Sequence, residues 1–156
     1  MRILLPIIAL VASSSCLMAQ SSQEEVDFVQ SLFGMEKKAF VSEFIRLEGA
    51  AGDAFWKVYD EYEIKRKDLG QRRIALLGKY IDGYSTFDDE STRGIIKEMI
   101  ALQNQTDKLI GTYYKKIAKE AGARPAAQFY QLEGYLVSKI RAEIMENIPV
   151  IGELER

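Results

Sequence analysis

Between Asp53 and Ala121 apolar residues recur at the α-helical period with one interruption, a pattern that leaves few folds open. The first series is Phe55, Val58, Tyr59, Tyr62, Leu69, Leu76, Leu77, Tyr80 and Tyr84, in a helix expected to open at Asp53, or at Gly52 just before it, and to run to about Gly83. Asp53 suits that start because its carboxylate accepts from free backbone N–H groups and complements the positive end of the helix dipole. Ser85-Thr86-Phe87-Asp88-Asp89-Glu90 then reads as a turn followed by helix-initiating acids. The second series is Ile95, Ile96, Met99, Leu102, Leu109, Ile110, Tyr113 and Ile117, in a helix expected from about Asp88 to Ala121. Two helices of roughly 30 residues joined by a short turn must pack antiparallel. Both middles, Glu63 to Arg73 and Gln103 to Lys108, are polar and fall opposite one another, so the centre of the hairpin should be thinly packed.

Shorter segments flank the hairpin. Val26, Phe28, Val29, Leu32 and Phe33 make an amphipathic stretch over 23–33, closed by Gly34. Phe40, Val41, Phe44 and Ile45 mark a helix from Glu36 to about Leu47, with Gly49 as its stop. After the break at Ala121-Gly122-Ala123-Arg124, Pro125 suits the first position of a last helix, which carries Phe129, Leu132, Leu136, Ile140, Ile144 and Ile148 and stops at Pro149. No β-type alternation persists. The expected fold is all-α, a long antiparallel helical hairpin with shorter flanking N- and C-terminal helices. The expected organisation is a leader over 1–19, a short segment over 20–34, the hairpin domain over 35–150 and a tail over 151–156.

Residues 1–19 have the form of a signal peptide. Arg2 is a one-charge beginning, and Ile3 to Ala12 is an apolar run too short to cross a bilayer core of roughly 30 Å. Ser13 to Ala19 is a small-residue stretch, and the preferred reading cleaves after Ala19. An alternative makes Cys16 the lipidated first residue of a lipoprotein, although Ser13 stands where that motif usually has Leu. No later segment has the length of a transmembrane span. With residues 1–19 removed, no Cys is left and no disulfide can form, so the core must suffice alone; 137 residues make that feasible. The net charge of −2 lacks the basic excess that nucleic-acid binding draws on.

At an offset of 74 positions, Ala54-Phe55-Trp56-Lys57-Val58 falls on Gln128-Phe129-Tyr130-Gln131-Leu132. Chance likeness of two amphipathic helix starts and a true duplication, closing the hairpin at its base with related elements, both remain open here. The run Phe55-Trp56-Lys57-Val58-Tyr59-Asp60-Glu61-Tyr62-Glu63-Ile64-Lys65-Arg66-Lys67, together with Ala126-Ala127-Gln128-Phe129-Tyr130-Gln131-Leu132-Glu133, resembles the Spy/CpxP family of periplasmic helical proteins. The resemblance covers roughly residues 35 to 148. Of that family's paired Leu-Thr-x-x-Gln signature, which would fall on 47–51 and 121–125, only Leu47 matches, so no functional residue is carried over. The resemblance implies a periplasmic location and a curved hairpin, often dimeric, with a face that holds unfolded clients or a sensor kinase domain.

The chain contains no His, which removes Ser-His and Cys-His pairs, and with Cys16 in the leader thiol chemistry is unsupported as well. Zinc and di-iron sites lack their usual ligands. Neither a metal nor any other cofactor is expected. The loop Asp82 to Glu90 has Phe87 where a calcium loop needs Gly and Arg93 at its twelfth position, so it reads as a capped turn. Asp60, Glu61 and Glu63 lie too close along the chain to converge as catalytic acids and read as a solvated face. Isolated Gly70, Gly78, Gly94, Gly111 and Gly134 point to bending or close helix contact.

Two features are suited to binding. Lys65, Arg66, Lys67, Arg72, Arg73 and Lys79 form a basic run, which is either a solvated face or a patch for acidic segments or a membrane surface. Tyrosines outnumber what a thin hairpin should bury, and a phenol suits wet interfaces. The expected binding residues are Lys65, Arg66, Lys67, Arg72, Arg73, Tyr62, Tyr80 and Tyr113. The expected function is a non-enzymatic exported protein, an ATP-independent chaperone or envelope-stress modulator. Its partners would be unfolded polypeptides or an envelope protein, with a homodimer possible in principle. The alternative is a structural or assembly protein that uses the hairpin for self-association or for a single partner.

Overall fold

Residues 37–148 are described by a computed structural model, and every regular element among them is helical. The leader with Cys16, the stretch 23–33 and the tail 151–156 lie outside the described residues. Contacts divide the chain after Ala39, and the unit that begins at Phe40 is the one considered below. Helix α1 covers 37–44, α2 Gly49–Gly83, α3 Asp89–Glu120 and α4 Ala123–Asn147. Helices α2 and α3 form the expected antiparallel hairpin, and α4 packs back along α3. Among the described residues no helix is long and apolar enough to cross a membrane.

Helix boundaries follow local chemistry, in two places not as expected. Gly49, expected as a stop, opens α2 at φ +62°, a left-handed value that glycine adopts without steric cost. It turns the chain between α1 and α2, so the long helix begins four residues before Asp53. Gly52 is buried there, and a Cβ at this position would sit 3.0 Å from the Leu47 carbonyl oxygen. Asp88 caps α3 as expected, accepting from the Ser91 N–H at 2.9 Å, with Asp89 and Glu90 in the first turn. The Ser91 hydroxyl and N–H hold the Asp88 carboxyl below its ordinary range. Gly122, at φ +103°, turns the chain into α4. Pro125 is then the third helical residue rather than the first, and it remains within the turn whose N–H groups have no intrahelical acceptor. Ile148 leaves α4 in an extended conformation, the geometry that a following proline favours.

The interior consists of two apolar clusters. At the base, Phe55, Val58, Tyr59 and Tyr62 of α2 meet Ile110, Tyr113 and Ile117 of α3 and Ala126, Phe129 and Leu132 of α4, with Val41 and Ile45 closing one side. Each large apolar side chain buried there contributes about 1.5–3 kcal/mol. Near the α2–α3 turn, a smaller cluster gathers Leu76, Tyr80, Ile95 and Leu102, against which Leu69, Tyr84, Phe87, Met99 and Ile148 pack. Because Ile148 reaches this second cluster, α4 accompanies the hairpin for most of its length. It is shorter than its neighbours but makes the interior three helices deep. The repeat-like segments occupy equivalent environments: Phe55 and Phe129 are fully buried, Val58 and Leu132 are buried, and Lys57 and Gln131 are exposed.

Candidate functional site

A belt of polar side chains separates the two clusters where the sequence places its polar middles. The Tyr62 hydroxyl donates to Glu133 at 2.7 Å, with both residues buried. Arg66 donates to both Glu63 oxygens, at 2.8 and 2.9 Å. Further along, Arg73 donates to the buried Thr106 hydroxyl at 3.4 Å, Arg72 to Gln105 at 2.8 Å, and Arg141 to Asp107 at 2.8 Å. The helical period turns Tyr62, Arg66 and Arg73 towards the side that α4 covers. It turns Glu61, Arg72 and Lys79 to the other side, where they meet Lys116, Gln105 and Glu98 of α3.

Burial sets the electrostatics of the belt. The Tyr62 phenol is held well above its usual range by burial first, then by the Glu133 charge and hydrogen bond. Burial likewise raises Tyr59, helped by Glu63 and Glu133. Burial alone would lower the Arg66 guanidinium, but the Glu63 hydrogen bond and charge outweigh it and raise it. Burial lowers Arg73, and the Arg141 charge adds to this against the opposing pull of Asp107. Both phenols therefore stay protonated across the ordinary pH range, and Tyr62 acts there as a hydrogen-bond donor.

The eight expected binding residues separate into two groups. Tyr62, Tyr80 and Tyr113 are core residues, 0%, 5% and 1% exposed, so they present no face to a partner. For Tyr62 the reason is α4, whose Phe129 and Glu133 meet it, whereas Tyr80 is enclosed in the turn-end cluster of α2 and α3. Arg66 is mostly enclosed and paired with Glu63, and Arg73 is half-buried on Thr106. Lys65 and Arg72 are exposed and Lys67 is half-exposed, so these three keep cationic groups at the surface. Lys65 and Lys116 also approach the Tyr113 ring, at 5.8 and 4.7 Å from its centroid. The Tyr113 hydroxyl is buried without a hydrogen-bond partner among the described residues.

Other features correct the reading of the sequence. Glu63, expected on a solvated face, is largely enclosed by its pair with Arg66. Around Gly78, Gly94, Gly111 and Gly134 nothing lies within 4 Å of a built Cβ, so close helix contact does not explain these four. Glu133 was not among the expected residues, although its spacing of four from Phe129 and three from Leu136 placed it on the inward face. The accessible apolar residues were not in the expected binding set, and four of them, Phe40, Phe44, Ile96 and Ile140, were expected on the apolar side of their helices but are exposed. Ile64, Ile74 and Ile81 of α2, Ile96 and Ile100 of α3, and Tyr130, Tyr135, Ile140 and Met145 of α4 are all exposed, as are Phe40 and Phe44 of α1. For Ile64, Ile74, Ile81 and Ile100 the signal was an apolar residue out of phase with the buried series of its own helix.

Among the described residues no group of three or more His, Cys, Asp or Glu side chains is placed to hold a metal. The belt is interior at Tyr62, Glu133 and Thr106 and open to solvent at Arg72, Gln105 and Asp107, and the rest of the surface mixes isolated apolar and charged side chains. Comparison with protein-family models, with curated proteins and with solved structures returns no match for this chain.

Proposed function

We propose that this chain is an exported, non-enzymatic helical protein that binds polypeptides, acting in the periplasm as an ATP-independent chaperone or an envelope-stress modulator of Spy/CpxP type. The observation that carries the reading is the outer surface of α2, where Ile64, Ile74 and Ile81 are exposed on a helix that also presents Lys65, Lys67 and Arg72. Exposed apolar side chains on a helix that also carries surface cations offer many weak contacts and little shape selectivity, which suits a chain without fixed structure. The leader-like residues 1–19 support export, and the resemblance over 35–148 supports the class. The binding set becomes Lys65, Lys67 and Arg72 with these isoleucines, in place of the buried tyrosines.

A photo-reactive residue placed at Ile74 tests it, with the same probe at exposed Lys108 as control. An unfolded test protein should cross-link at position 74, and its folded form should not. Equal labelling at both positions, or of both forms, would contradict the proposal. The alternative of self-association draws on the same surface, since Ile74 and Ile81 flank Gly78, beside which space is open. In that case the cross-link at position 74 would join two copies and would be unaffected by unfolded protein.

A further inference from the structure

The side of α3 that meets α4 continues past the end of α4. Tyr114 packs edge-on against Tyr130, with ring centroids 5.8 Å apart, and Asp107 accepts from Arg141, so the two helices run antiparallel. Stepping back from Tyr114 and Asp107 by alternating intervals of four and three residues reaches Gln103, Ile100 and Ile96 on the same side. The register of those two pairs places the last turn of α4 beside Ile100 and the end of α4 short of Ile96. Ile100 is 56% exposed and Ile96 39% exposed. With Thr92, Arg93 and Lys97 they line a shallow depression whose surface is apolar.

The residues that follow α4 fit this surface. Ile148 is extended and packs on the turn-end cluster, to which Ile95 of α3 belongs, so the chain leaves α4 at the end of the bundle where Ile96 and Ile100 lie. The next residues are Pro149-Val150-Ile151-Gly152-Glu153-Leu154-Glu155. Three of them are large and apolar, for two exposed isoleucines, and two are acidic, for Arg93 and Lys97. Ile100 to Thr92 spans about 12 Å of helix. Six extended residues reach about 20 Å, more than enough.

We propose that the Ile96–Ile100 face of α3 is the seat of the segment 150–155 of the same chain, with Val150, Ile151 and Leu154 on the isoleucines and Glu153 and Glu155 at Arg93 and Lys97. The segment extends the side of α3 that α4 covers beyond the point where Pro149 ends the helix.

A spin label at Leu154→Cys, in a Cys16→Ser background, tests the seat through the methyl signals of Ile96 and Ile100. Both should broaden, independently of protein concentration, while those of Ile64 and Ile74 stay sharp. Arg93→Glu with Lys97→Glu should reduce the bound fraction about threefold, as expected for exposed pairs, and adding Glu153→Lys with Glu155→Lys should restore it. Arg93 and Lys97 are exposed and outside both apolar clusters, Arg93 pairing with Asp89 across an exposed turn, so thermal unfolding should report an intact bundle for these variants. Broadening that grows with concentration would overturn the proposal in favour of a second copy on the seat. Absence of broadening at Ile96 and Ile100 would overturn it outright.

Discussion

The Tyr62 hydroxyl donates a 2.7 Å hydrogen bond to the Glu133 carboxylate, linking α2 to α4 between residues 71 positions apart. Glu133 is only 1% exposed, so its charge depends on partners inside the bundle. Tyr62→Phe removes one donor without opening a cavity and should cost about 1.5–3 kcal/mol, the range for a hydrogen bond to a charged group. Tyr62→Phe combined with Glu133→Leu should cost less than Tyr62→Phe alone, because no buried charge is then left short of a donor. Urea unfolding of both variants and of Glu133→Leu supplies the cycle.

The raised phenols make stability depend on alkaline pH. Tyr59 and Tyr62 stay protonated when folded but ionise near pH 10 once unfolded, so the unfolded state binds fewer protons above that point. Their contribution is complete below pH 10 and is lost as the pH rises from there towards the folded values. Each should add a slope of about 1.4 kcal/mol per pH unit above pH 10. Tyrosinate absorbance followed against unfolding should show both ionising only as the bundle opens. Tyr62→Phe should remove one share of the slope.

Two glycines in α2 should respond to alanine with opposite signs. Gly49 holds a left-handed φ of +62°, so Gly49→Ala should destabilise by about 1–2 kcal/mol. Gly78 is helical with open space around a built Cβ, so Gly78→Ala should stabilise by about 0.5–1 kcal/mol. Thermal unfolding of the pair distinguishes them directly.

Unequal clusters imply unequal local stability. The base cluster buries twelve residues and the turn-end cluster four, with the polar belt between them. Backbone amides around Leu76, Tyr80 and Ile95 should therefore exchange with solvent faster than those around Tyr59, Tyr113 and Phe129. Ile95→Ala should widen the difference, and Ile117→Ala should narrow it.

Most of the fold was legible because helical periodicity survives without an alignment. The Asp88 cap, the α2–α3 turn and the opposed polar middles all lie in local sequence. The role of Gly49 was not legible, since a glycine between two helical patterns serves equally as a stop or a start. Neither was the depth of α4: Ile148 shows where that helix ends, but only packing reveals that it reaches the second cluster. That omission decided the fate of Tyr62. Tyr62, Tyr80 and Tyr113 sit at the helical spacing of core residues, and the burial of Tyr62 is completed by a third helix far away in sequence. The cations were partly legible, as Lys65 and Arg72 do face solvent while Arg66 and Arg73 are drawn inward by Glu63 and Thr106.

In the proposed function the exposed surface of α2 holds unfolded polypeptide without an energy source. The most direct measurement is light scattering from a chemically unfolded test protein diluted into buffer with this protein and no nucleotide. Aggregation should slow in proportion to the amount of this protein added. Ile64→Asn, Ile74→Asn and Ile81→Asn together should abolish the effect while thermal unfolding still reports an intact bundle. Unchanged aggregation with the folded wild-type protein, or full protection by the triple variant, would contradict it.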